Sequence, residues 1–286
     1  RGANDALQSV TYDATWSAAT AVGSLVTLGS PALAVVGTKA EAVYRAGAPD
    51  TNKFFRIENA GASWMTTGDP VMAPAAAQSF GLGAATIAGA GTDLVFAQDG
   101  TDEGLYVQNW NGSSWTAAAA IVGAGTFATS APALVAASGA FDLVLLYPDK
   151  TANHVIGFAT RDATSKAWSN GQVTQATAQT AEQMSVAAIS STKLLVSFRG
   201  NDMRPYTMLG TIGATSITWS LPTPLLADTS TVDSAPAVAK GVCGDDAIAV
   251  FASGGVVKAT QYRGTTWSVP GTVPGTTGSR VSVATR

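Results

Sequence analysis

Arg56-Ile-Glu58 sets a guanidinium and a carboxylate two residues apart, which puts both on one face if the segment is a strand. Trp110 is the one indole outside a regular series described below. A saccharide site would want an exposed aromatic face for the sugar's C–H surface and planar or charged hydrogen-bonding groups for its hydroxyls. Trp110 is the best exposed-ring candidate, with burial against a neighbouring element as the competing reading. Further polar residues gather just after short apolar runs: Arg45 and Asp50; Asp99, Asp102 and Glu103; Asp149; Arg199 and Asp202. On one face of a fold they would line a ligand mouth, although Asp and Asn are also ordinary turn residues. Asp99-Gly-Thr-Asp-Glu103 carries oxygen donors but lacks the spacing of a calcium loop. His154 is the only histidine and Cys243 the only cysteine, which excludes a disulfide framework, a Cys/His zinc site and any intact nucleophile–histidine unit. No metal or cofactor is expected.

Positioning these residues requires elements, and the indoles reveal them. Trp16, Trp64, Trp115, Trp168, Trp219 and Trp267 recur every 48 to 53 residues, and four of them are followed by Ser. A second series, Tyr44, Phe96, Tyr147, Phe198 and Phe251, closes short apolar runs such as Asp142-Leu-Val-Leu-Leu-Tyr147. Such runs, bounded by Gly, Pro, Asp and Asn, read as strands buried on both faces. Upstream of each lies a segment of small residues, as in Ser30-Pro-Ala-Leu-Ala and Ala131-Pro-Ala-Leu-Val, and a fourth segment leads to the next Trp, as in Gly104-Leu-Tyr-Val-Gln-Asn-Trp110. Four antiparallel strands per repeat, with no helical periodicity, predict an all-β, six-bladed β-propeller. Small residues suit the crowded axis and indoles the wider rim, so the small-residue strand is innermost and the Trp strand outermost.

The ends predict how the ring closes. Arg1-Gly-Ala-Asn-Asp5 resembles Arg199-Gly-Asn-Asp202, and Ser279–Ala284 aligns with Ser30–Val35, so one blade is shared between the N- and C-termini. Its second strand falls about nine residues short by comparison with a complete blade, which reads as a single domain over 1–286 taken from a longer or processed protein. The chain opens at Arg1 without a signal-peptide pattern.

Charged residues are only 12% of the chain, about half the usual share of roughly 25%. With a net charge of −3 there is no basic footprint for nucleic acid, and no apolar run long enough to insert in a membrane. Low charge with abundant Thr, Ser and Ala suits a secreted or cell-surface protein.

The segment Gly83–Thr116, with Asp93-Leu-Val-Phe96, Asp99-Gly-Thr-Asp102, Leu105-Tyr106 and Trp110-Asn-Gly-Ser-Ser-Trp115, resembles the repeat of fucose-binding propeller lectins of fungi and bacteria. That resemblance implies sugar sites between adjacent blades, each made of an Arg, a carboxylate and an aromatic ring. Arg56 with Glu58 is the one such pair on a third strand, equivalent positions elsewhere being apolar or amide, so repeated sites are not expected. A weaker similarity to sialidase-type propellers rests on the Asp-box fragments Tyr12-Asp-Ala-Thr-Trp16 and Gly264-Thr-Thr-Trp267. The reading favours a non-catalytic, lectin-like carbohydrate-binding module. A structural or protein-interacting adhesive propeller, and then a sialidase-like glycoside hydrolase, stand as alternatives.

Overall fold

The computed structural model describes residues 6–13, 15–27, 31–36, 39–46, 54–59, 63–71, 82–87, 91–97, 104–111, 113–117, 119–121, 130–149, 153–172, 177–241, 244, 246–278 and 281–283. Each predicted repeat becomes one antiparallel sheet. The N-terminal part of the split blade contributes β1 (Ala6–Ser9), β2 (Tyr12–Asp13), β3 (Thr15–Trp16) and β4 (Thr20–Val26). The first complete blade is β5 (Ala32–Val36), β6 (Lys39–Arg45), β7 (Phe54–Asn59) and β8 (Trp64–Val71). The second is β9 (Leu82–Ile87), β10 (Gly91–Ala97), β11 (Leu105–Trp110) and β12 (Ala119–Ala120), and the third β13 (Ala133–Ala136), β14 (Phe141–Pro148), β15 (Ile156–Asp162) and β16 (Trp168–Gln172). The fourth holds β17 (Ser185–Ala188), β18 (Lys193–Arg199), β19 (Pro205–Ile212), β20 (Ile217–Trp219) and β21 (Thr223–Pro224). The fifth holds β22 (Ala237–Lys240), β23 (Ala247–Ser253), β24 (Val256–Arg263), β25 (Thr266–Trp267) and β26 (Gly271–Thr277).

Around the axis the innermost strands stand side by side, β5 next to β9, then β13, β17 and β22. Their buried Ala32, Ala133, Ala187 and Ala237 explain why this strand is built of small residues: neighbouring backbones approach closely there. Every residue of β14 is buried, because both faces of a blade pack on other blades. Val144, Leu146 and Phe158 meet Phe198, Met208 and Trp219 of the next blade, while on the other face Leu143, Leu145 and Tyr147 meet Leu105 and Ile121.

The indole ladder has a common register. Directly opposite the six tryptophans stand Tyr12, Asn59, Trp110, Arg161, Gly210 and Tyr262 of the third strands. In four blades the residue after the Trp clamps the third strand twice. The Ser17, Thr116, Ser220 and Ser268 N–H groups donate to the carbonyls of Thr11, Asn109, Leu209 and Gln261. Their hydroxyls accept from the N–H groups of those same four residues, at 3.0 to 3.1 Å. The clamp accounts for three of the four Trp-Ser pairs and for Trp115-Thr116, whereas Ser169 lies in an unbroken ladder and its hydroxyl meets that of Thr160 at 3.0 Å. In the fourth and fifth blades the outermost strand resumes beyond it as β21 and β26, so these sheets hold five segments where four strands were expected.

Both chain ends meet in the sixth blade. β1 pairs with β4, and Val10 and Trp16 share a cluster with Val281, Val283, Val250 and Val273. Ser282 Oγ donates to the Pro31 carbonyl at 2.7 Å, tying the C-terminal segment to the first complete blade. Residues 281–283 occupy the innermost position without a ladder partner among the described residues, so they are not a strand as the alignment had predicted. Arg1–Asp5 lie outside the described residues.

Candidate functional site between the first and second blades

Strand geometry brings three of the predicted residues together. In β7 the alternation sends Arg56 and Glu58 to one face, and the register sets Glu58 opposite Glu41 of β6. That face looks onto Trp110 at the end of β11 in the next blade: the Arg56 guanidinium lies 4.9 Å from its ring centroid. Arg56 Nη2 donates to Glu41 Oε1, a buried pair, and to Glu58 Oε2 at 3.2 Å; Lys39 Nζ reaches Glu58 Oε1 at 3.2 Å. Burial works against the charge of Arg56, but the hydrogen bonds and charges of Glu41 and Glu58 outweigh it and hold the guanidinium pKa above its ordinary value. The seam is thus graded, with Glu41 (4% exposed) and Arg56 (8%) at its floor, Glu58 (17%) above them and Lys39 (46%) at the rim.

Two expectations change. Trp110 is only 7% exposed, because Arg56 covers one side and Trp115, 5.5 Å away between centroids, covers another. Arg56 also takes its deepest partner from β6 rather than from its own strand. Glu41 was missed; its signal was an acid inside the alternating Lys39-Ala-Glu41-Ala-Val43, at a register that β14, β18 and β23 fill with Val144, Leu195 and Ile248. Trp115 adds an indole N–H that is buried without an acceptor among the described residues.

At the register of Arg56 the other described blades carry Val107, Phe158, Thr207 and Ala259. Phe158 packs edge-on against Trp219 at 5.6 Å, so the seam between the third and fourth blades closes with rings where the first closes with charges. A second ionic set lies within the third blade. Asp142 accepts from Arg161 Nε at 2.9 Å and Lys166 Nζ at 2.6 Å, and Arg161 sits 5.8 Å from the Trp168 centroid.

The remaining predicted residues are dispersed around one end of the ring. Arg45 and Arg199 close β6 and β18 in register with each other, and Asp149 follows β14. Arg199 binds Glu182, which lines an axial cavity of about 390 Å³ together with Asp233, Ser234 and Ser282. Asp202 accepts from Tyr206 Oη at 2.7 Å and from Arg204 N at 3.1 Å, so it shapes its own hairpin. The first of these bonds, followed by burial, raises the tyrosine pKa. His154 sits at a φ of 48° with Nδ1 3.4 Å from the Asp149 carbonyl, a turn position. Asp50, Asp99, Asp102, Glu103 and Cys243 lie outside the described residues. No helix among the described residues is long and apolar enough to cross a membrane.

No family model and no curated protein matches the sequence. Solved structures do. The fucose-specific lectin from Aleuria aurantia superposes with a TM-score of 0.70 at 17% identity, over 96% of this chain and 90% of that one. A structure of the same lectin is described as a six-bladed β-propeller with a novel fucose recognition mode. This chain is a six-bladed β-propeller. The propeller is also similar to AofleA from Arthrobotrys oligospora, with a TM-score of 0.69 and 14% identity over 98% and 84% of the two chains. The BP39L lectin from Burkholderia pseudomallei gives 0.57 and 14% over 85% and 70%.

Proposed function

We propose that the propeller is a non-catalytic, lectin-like carbohydrate-binding module that works outside the cell, with the seam between its first and second blades as the sugar site. The observation that carries this reading is the joining of Arg56, Glu58 and Glu41 with Trp110 across two blades. The set is electrically balanced, two carboxylates against Arg56 and Lys39, which suits a neutral saccharide rather than an acidic one. A sugar entering past Lys39 meets Glu58 as acceptor and Arg56 as donor. Trp110 offers its face once the guanidinium turns from the ring toward the sugar hydroxyls. Likeness to proteins named as fucose-binding lectins supports the class of ligand.

The test is a glycan array with the purified protein, followed by titration calorimetry of the strongest saccharide against wild type, Glu58→Gln and Asp202→Asn. The reading expects Glu58→Gln to weaken binding about tenfold or more, the loss of one charge-assisted hydrogen bond, with Asp202→Asn unchanged. A folded protein that binds no saccharide, or one insensitive to Glu58→Gln, overturns it.

A further inference from the structure

Asn111 is the only asparagine in the chain with Ser or Thr two positions on, and Asn111-Gly-Ser113 has no proline between them. This is the acceptor pattern for N-linked glycosylation, which also demands an exposed turn. The structure supplies one. Asn111 and Ser113 are both exposed, in the turn where the backbone leaves β11 before the Trp110–Trp115 bridge. The amide is also held in place. Asn111 Oδ1 accepts from Ser113 N, Ser114 N and Ser113 Oγ, each at 3.0 Å. Three donors hold the side-chain carbonyl in the turn, and the hydroxyl among them is the one that the acceptor pattern specifies. Nδ2 belongs to an exposed side chain and, among the described residues, contacts Ser114 Oγ at 3.3 Å.

We infer that Asn111 is an N-glycosylation site, carrying an oligosaccharide when the protein passes through a compartment that holds a lipid-pyrophosphate-linked oligosaccharide donor. In that transfer Nδ2 forms a bond to the anomeric carbon of the sugar and the bond from that carbon to the pyrophosphate oxygen breaks. The lipid pyrophosphate leaves with the electron pair, and one amide proton is lost to solvent. This inference stands on the turn and not on the sugar-binding reading.

The experiment is secretion of residues 1–286 from yeast behind a cleavable leader, with intact-mass and peptide analysis before and after peptide N-glycosidase digestion in heavy-oxygen water. The expected result is a ladder spaced by one hexose that collapses on digestion, with Asn111 recovered as heavy-oxygen aspartate. Ser113→Ala abolishes the ladder while keeping Asn111, and Ser113→Thr, which retains the hydroxyl, restores it. Secreted, folded protein in which the wild-type Asn111 peptide is wholly unmodified overturns the inference. So does a ladder that persists in Ser113→Ala.

Discussion

Glu41 is buried with Arg56 as its partner, and a buried charge stripped of its partner is costly. Arg56→Met is therefore expected to lower stability by about 3 kcal/mol in urea unfolding, with a smaller loss for the double change that also makes Glu41 a glutamine. Asp142 offers a second residue-level test. Burial pushes its pKa up, but the hydrogen bonds of Arg161 and Lys166 outweigh burial and hold it below the ordinary value of 3.8. A carboxylate depressed in the folded state adds stability that is complete above its unfolded pKa and disappears as pH falls through the folded one. Melting temperature should therefore fall below about pH 4. Asp142→Asn should flatten that part of the profile while lowering the plateau. Arg56 and Glu58 were legible in the sequence as a pair because the two-residue period of a strand fixes their common face. Glu41, Asp142 and Glu182 were not, since their partners are set by the register between strands.

Within a blade, the clamp after the tryptophan and, in the fourth blade, Gly210 beneath Trp219 govern packing. A Cβ on Gly210 would come within 2.5 Å of the Trp219 ring, and Trp219 in turn supports Phe158 of the third blade. Gly210→Ala should therefore destabilise by about 1–3 kcal/mol through forced movement of the indole, seen as a shift in denaturant midpoint and in tryptophan fluorescence. Ser268→Ala removes the acceptor of the Gln261 N–H, and a loss of about 1 kcal/mol is expected, with faster amide exchange confined to the β24–β25 edge. The positions of these elements followed from spacing alone. The breaking of the outermost strand into two pieces in the four clamped blades did not, because it depends on which hydroxyls reach across to the third strand.

For the whole ring, closure is the decisive interaction. Val281, Val283 and Ser282 join sequence ends that lie far apart along the chain, so their contacts are formed at a large entropy cost and hold the split blade in place. Replacing Val283 by Asp, which sets a charge in an apolar cluster, should lower the melting temperature by several degrees more than Ser282→Ala. Limited proteolysis should then cut first between β1 and β4. Equal cutting in all blades would count against closure by the ends.

The sequence by itself determined the all-β class, the period, the order from small inner strand to indole rim, and the sharing of a blade. Each follows from local periodicity and side-chain size, which act before any distant contact forms. Only the tertiary structure decided that Trp110 is covered by Arg56, that Glu41 completes the seam, and that Arg45, Asp149, Arg199 and Asp202 stand apart. Burial and ion pairing across a seam depend on how two separately formed sheets face each other. No single strand carries that information.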